Sequence, residues 1–332
     1  MGKDIILTGI KPTGSPHIGN YLGAIKPAIE LVNENDARCF YFIADYHALT
    51  TISSAEKLRN YTYEIASTWL ACGLDPEKVL FYKQSDIPEV FELYSILTNV
   101  TPKGLMNRAH AYKAMIDENT RNGVDVDSNV NMGLFNYPIL MAADILLFNA
   151  NKVPVGLDQQ QHIEIARDIA SYFNNKYEKI LVLPNGLISE DVATIVGLDG
   201  RKMSKSYGNT IGLFLPEEEL RKVINKIVTD STPPDEPKSL DNTILTLYKL
   251  FASEEEVRQF EYELTSGISW AEAKRKLFEK INEIILPMRE RYNYYMDNPD
   301  IVDEILENGA EEARKIAKKT IKTIKQAIGA SK

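Results

Sequence analysis

The chain has 332 residues, 44% hydrophobic and 26% charged, with a formal net charge of −9. This length supports one sizeable core and a second, smaller one, and the composition belongs to a globular protein. No apolar run is long enough to cross a bilayer, no signal peptide opens the chain, and Cys39 and Cys72 form no metal-spaced cluster. A membrane protein, a disulfide framework and a structural zinc site are therefore set aside. The cytosol is the expected compartment, and neither a membrane nor DNA is an expected partner.

In chain order, IILTGI (Ile5 to Ile10) reads as a buried first strand. The turn PTGSPHIGNY (12–21) follows, and then Ile18, Leu22, Ile25, Ile29 and Val32 mark one helical face, with Pro27 as an expected kink. A strand, a tight turn and a helix leave unpaired backbone N–H groups where an anion can be held. Gly9, Gly14, Gly19 and Gly23 lack the spacing of a dinucleotide fingerprint. RCFYFIA (38–44) reads as a second buried strand, followed by the polar group Asp45, Tyr46 and His47. A helix over about 55–72 and a third strand in LFYKQS come next. Residues 89–116 read as helix interrupted near Pro102, and 117–129 as a loop. A helix from 136, a strand over 152–155, a turn at Gly156 and another helix follow, with KILVLP (179–184) as a further strand. Residues 197–212 read as a loop. Pro216 with Glu217, Glu218 and Glu219 opens a helix that ends at the SerThrProPro of 231–234, and most of 240–329 is helical. Strands alternating with helices predict an α/β fold with a parallel sheet covered on both faces. The change of character near 213 divides the chain into a mixed domain, 1–213, and a helical domain, 214–332.

Four groups of residues are suited to chemistry. His17, Gly19 and Asn20 start the first helix, where missing side chains admit a planar or backbone-like group, although glycine also serves plain helix–sheet packing. GRKMSKSYGN (200–209) sets Lys202 and Lys205 in a glycine-flanked loop with Arg201, Met203, Ser204 and Ser206. Mobile ammonium groups suit phosphate oxygens, and a solvated basic loop is the plainer reading. The Walker spacing is absent. Tyr137, Met141 and Asp144 share a helical face inside an apolar run, so the carboxylate needs a donor, either from the protein or from a ligand in an apolar pocket. Gly156, Asp158, Gln159 and His162 cluster after the strand at 152–155, where a carboxylate can hold ribose hydroxyls. His162 also fits an ordinary sheet-facing position. Arg314, Lys315, Lys318, Lys319, Lys322, Lys325 and Lys332 are concentrated at the C-terminal end, which on charge alone reads as a solvated helix face.

HIGN (17–20) resembles the first signature of class I aminoacyl-tRNA synthetases, and KMSKS (202–206) is their second. MAADIL (141–146), VPVGLDQQQHIEIARDIA (153–170), the opening TGIKPTG and the ending GAEEARKIAKKTI are similar to the tryptophanyl-tRNA synthetase family, and the resemblance covers nearly the whole chain. It implies a Rossmann-like, doubly wound catalytic domain of the class I synthetase type. It also implies a helical domain that reads the tRNA anticodon, with a last helix that can pack back on the first domain. The implied activity is activation of L-tryptophan by ATP with Mg2+, followed by transfer to tRNA(Trp), in a homodimer with no resident metal.

The resemblance assigns Lys11, Pro12, Thr13, His17, Gly19 and Asn20 to the ATP site. Gly156, Leu157 and Asp158 fall on the ribose side. Lys202, Met203, Ser204, Lys205 and Ser206 fall at the pyrophosphate, with His17, Asn20, Lys202 and Lys205 catalytic. Asp144 is implied as the indole N–H acceptor, with Met141, Tyr137, His47 and Gln159 around it. Lys11 stands where bacterial members commonly carry glutamine, and GLMNRAHAYKAM (104–115) departs from the family pattern, leaving Arg108 and Lys113 as candidate phosphate contacts only. The alternatives are a tyrosyl-tRNA synthetase of the same class and a nucleotide- or RNA-binding regulator that kept the fold without catalysis.

Overall fold

In a computed structural model, which describes residues 3–34, 36–188 and 195–331 but not the side chains of Glu34, Asp158 and Ile188, five parallel strands form one sheet. They are β1 (Ile5–Ile10), β2 (Arg38–Ile43), β3 (Val79–Lys83), β4 (Lys152–Val155) and β5 (Asn185–Ile188), in the order β3-β2-β1-β4-β5. β2 is buried from Cys39 to Ile43, as a strand covered on both faces must be, and pairs with β1 from Ile5↔Arg38 to Ile10↔Ile43. The chain builds outward from β1 to β3 and then returns to lay β4 on β1's other side. The order thus reverses at the carboxyl ends of β1 and β4, where open sheets of this kind hold ligands.

The helices are α1 (Ile18–Asn20), α2 (Lys26–Glu34), α3 (Asp45–Ala48), α4 (Ala55–Ala71), α5 (Glu89–Thr98), α6 (Lys103–Met106), α7 (His110–Arg121), α8 (Met132–Leu147), α9 (Gln160–Lys176), α10 (Glu217–Asn225), α11 (Thr243–Tyr248), α12 (Glu254–Thr265), α13 (Trp270–Asp297) and α14 (Pro299–Ala327). On one face of the sheet, Ile6, Tyr41 and Phe81 pack with Ile25, Ile65 and Trp69, and the same core continues into Leu220, Leu277, Ile281 and Ile285 of the helical region. On the other face, Leu7, Phe40, Phe42 and Tyr82 pack with α5, α8 and α9. α14 joins both cores, through Val302 and Leu306 on one side and Ala313, Ala317 and Ile321 on the other. It crosses at β3, where Gly309 lies so close that a Cβ would stand 2.0 Å from the Phe81 carbonyl oxygen. The sheet's edge strand is thereby covered. Arg314 donates to both carboxylate oxygens of Glu89 on α5, and Lys325 pairs with Glu92 at 2.8 Å.

Several elements differ from expectation. KILVLP is not a strand, and β5 begins after it. Asn174 Oδ1 accepts the Ile180 and Leu181 N–H groups at 3.0 and 2.9 Å, its amide donates to Leu181 O, and Pro184 has no N–H to offer a ladder. α7 extends through Arg121 into the expected loop. The first helix contains a π-helical turn, Tyr21–Ile25, in which the Lys26 N–H reaches back to Tyr21 O. That wider turn precedes Pro27, which has no hydrogen to donate, and takes the place of a simple kink. α10 stops at Asn225, ahead of the prolines, as the Val228 N–H turns to Leu198 O. Among the described residues no helix is long and apolar enough to cross a membrane.

Candidate active site

The two signature segments meet at the reversal point of the sheet. His17 caps α1: its Nδ1 accepts the Asn20 N–H at 3.3 Å, and Asn20 Oδ1 accepts the His17 N–H at 3.1 Å. This reciprocal box satisfies helix-start donors that would otherwise be orphaned. The turn is joined to the far end of the lysine loop, with Ile18 N–H on Ile211 O at 2.9 Å and Leu213 N–H on Pro16 O at 3.0 Å. Burial, reinforced by the nearby Lys205 charge, pushes the His17 pKa down to about 4. The ring is therefore neutral at pH 7. With Nδ1 accepting, its proton sits on Nε2, which becomes a donor.

Lys205 reaches the opening turn. Its Nζ lies 3.5 Å from Thr13 O, and a Cβ on Gly14 (φ +114°) would stand 3.0 Å from it. Burial lowers the Lys205 pKa, opposed by Glu64. Met203 is buried, and its sulfur would lie 3.4 Å from a Cβ on Gly19, so this apolar residue anchors the loop over the glycine. Ser204 caps the short turn Lys205–Tyr207, and its hydroxyl lies 2.8 Å from that of Ser206. Lys202 is exposed, and among the described residues no hydrogen bond or ion pair engages its ammonium. Asn209 organises this loop, accepting the Ser204 N–H at 2.8 Å and donating to Asp199 at 2.7 Å and to Lys202 O at 3.1 Å. Lys11 donates to Thr50 Oγ1 at 3.0 Å, and that hydroxyl donates to His47 O at 2.8 Å. Burial lowers the Lys11 pKa. Lys11 thus ties the opening turn to the segment that carries His47. Pro12 is buried and Thr13 exposed beside it.

Beyond this turn lies a polar centre within apolar walls. Asp144 on α8 is 2% exposed. Its Oδ2 lies 3.0 Å from His47 Nε2, and Gln84 Nε2 donates to Oδ1 and Oδ2 at 3.0 and 2.9 Å. Burial raises the Asp144 pKa, while the contacts with His47 and Gln84 oppose the rise. His47 Nδ1 is buried without a hydrogen-bond partner. The His47 ring meets Tyr137 at 4.4 Å, Tyr137 meets His162 at 5.3 Å, and His162 Nδ1 lies 2.9 Å from Gln159 Oε1. Met141 is half-buried against the same core. Asp45 Oδ1 accepts the Tyr46 and Ser85 N–H groups at 3.0 and 3.1 Å, which fixes the ends of β2 and β3 to each other.

Asp144, His47, Tyr137 and Gln159 therefore form one connected wall, and His17, Asn20, Lys205 and Met203 form another. Gly156 caps a short turn, Leu157–Gln159, with Leu157 exposed, while the Asp158 side chain lies outside the described residues. Arg108 and Lys113 are exposed before and on α7, and the Arg108 carbonyl accepts from Gln161 Nε2 at 3.1 Å, which ties this segment to the start of α9. Gln84, Thr50 and Asn209 were not among the expected residues. Gln84 carried one available signal, a polar residue closing an apolar strand.

A family model described as class I tRNA synthetases (W and Y) matches residues 2–285. The tryptophan–tRNA ligase of Bordetella parapertussis is 53% identical over 327 residues, 98% of this chain and 72% of that protein. That of Neisseria meningitidis serogroup A is 50% identical over 99% of this chain and 98% of its own length. A crystal structure of tryptophanyl-tRNA synthetase from Campylobacter jejuni, complexed with ADP and tryptophan, is 44% identical. It superposes with a TM-score of 0.91, covering 98% of this chain and 99% of that one. By the extent of these matches and the meeting of its two signature segments, the chain belongs to the class I tRNA synthetases for tryptophan and tyrosine.

Proposed function

We propose that this chain activates L-tryptophan with ATP, giving tryptophanyl-adenylate and pyrophosphate, and transfers the tryptophanyl group to tRNA(Trp). The observation that carries the reading is the buried Asp144 carboxylate between His47 and Gln84, with Lys11 of the opening turn joined through Thr50 to the His47 carbonyl. A fixed acceptor among apolar groups favours a ring bearing an N–H and leaves an unpaired carboxylate behind a ring without one. Met141, Tyr137, His47 and Gln159 line that side.

In this reading the tryptophan carboxylate is the nucleophile at the α-phosphorus, so no protein base is required. Mg2+ enters with ATP as part of the substrate. Neutral His17, donating from Nε2, and Asn20 serve the α-phosphate, and Lys205 with Lys202 takes up the charge of departing pyrophosphate. Lys11, Pro12, Thr13 and Gly19 border the nucleotide, Met203, Ser204 and Ser206 shape the loop over it, and Gly156, Leu157 and Asp158 lie on the ribose side. Residues 214–332 are assigned to the anticodon. The enzyme acts as a cytoplasmic homodimer. Amino-acid-dependent exchange of pyrophosphate into ATP tests the reading: tryptophan should support it, and faster exchange with tyrosine would overturn the assignment.

A further inference from the structure

Gln84 closes β3 and is 0% exposed. Its amide nitrogen sits astride the Asp144 carboxylate, 3.0 and 2.9 Å from the two oxygens, and its carbonyl oxygen accepts the His47 backbone N–H at 3.3 Å. One neutral side chain therefore fixes both the carboxylate and the segment bearing the imidazole that contacts it. An ionised carboxylate offers about four lone-pair positions. Gln84 engages one on each oxygen, and His47 Nε2 engages a second on Oδ2. Among the described residues, the position left over is on Oδ1.

We propose that Gln84 is a specificity-determining positioning residue, which orients Asp144 so that one lone pair of Oδ1 receives the indole N–H of the amino acid. The inference rests on the function proposed above and adds to it the residue that sets the acceptor's direction. A carboxylate free to rotate about its last bond would offer its oxygens in many directions and reward a ring N–H less. A glutamine does this without adding a charge beside a carboxylate on which the Asp45 charge already bears. A lysine there would neutralise the acceptor, and an acid would repel it. Asp45, at the neighbouring strand end, accepts the Tyr46 and Ser85 backbone N–H groups and can only repel Asp144, so among the described residues Gln84 and His47 are the side chains holding it.

The test compares kcat/KM in pyrophosphate exchange for L-tryptophan and for its benzothiophene isostere, which keeps the bicyclic shape and lacks the N–H. In the unaltered enzyme tryptophan is preferred. Gln84→Met should reduce that preference about tenfold or more, with the loss in KM for tryptophan rather than KM for ATP. If Gln84→Met slows both substrates alike and keeps the preference, Gln84 is only a packing residue and the proposal falls. Gln84→Asn, which keeps the amide on a shorter stem, should retain more of the preference than Gln84→Met and supplies the measurement if the methionine variant does not fold. Asp144→Ala separates the two levels. If it abolishes the preference while Gln84→Met does not, only this inference fails, and if it leaves the preference intact, the indole assignment itself fails.

Discussion

His17 and Asn20 complete each other's backbone hydrogen bonds at the start of α1, and that arrangement requires an unprotonated Nδ1. The folded-state pKa is about 4 against 6.5 for a free imidazole, so the unfolded chain binds the proton first as pH falls. The contribution to stability is complete above pH 6.5 and is lost as pH drops toward 4. Thermal unfolding at stepped pH should show the parent losing stability relative to His17→Asn across that window, and parallel curves would contradict it. Lys205 makes a different demand under the proposed function, where its charge is to count as pyrophosphate leaves. Lys205→Met should lower exchange turnover by about 10²–10³-fold while ATP binding weakens much less, as measured by pre-steady-state kinetics beside equilibrium binding. At this scale contiguous motifs stand out in the sequence, and the fold brings HIGN beside KMSKS and buries the MAADIL aspartate against His47. Gln84 and Thr50 escaped notice because their partners Asp144 and Lys11 stand far away along the chain, and only the packing of the end of β3 on α8, and of the turn after α3 on the end of β1, brings them close.

Elements with a sustained period were legible, among them β1, β2, α4 and the helices after 216. Those decided by one side chain were not. Asn174 occupies the backbone of 180–181 and so displaces β5 beyond Pro184, which no periodicity can announce. The π-helical turn likewise depends on how Pro27 is accommodated between two apolar faces. α14 shows the opposite case, since its Gly309 looks unremarkable in sequence and yet sets the approach to β3. Gly309→Val would drive a branched side chain into the Phe81 carbonyl. It should cost about 3 kcal/mol or more, read as a large fall in unfolding temperature. An unchanged melting point would mean that α14 is not seated on the strand.

The change from mixed to helical character near 213 is visible in the sequence, but apolar patterning cannot say whether two such regions share one interior. Here they do: Trp69 and Leu277 belong to one continuous core, and α14 returns from the helical region to both faces of the sheet. Unfolding should therefore be a single event. Trp69 on α4 and Trp270 at the start of α13 report on the two regions. In Trp69→Phe and Trp270→Phe, the remaining tryptophan's fluorescence should change at the same urea concentration as the far-UV circular dichroism. Separate midpoints in either variant would show that the helical region melts independently.

Residues 16–18 and 211–213 are bound to each other through their main chains, so the strip bearing Lys205 is tethered beside its own target. Only 206–210 lie between that lysine and the anchor. A leash this short holds the ammonium at a high effective concentration beside the Thr13 turn, and opening becomes a swing about a fixed pivot. Lengthening the leash with inserted residues would dilute the cation around that turn, leaving every named side chain intact while weakening their joint action.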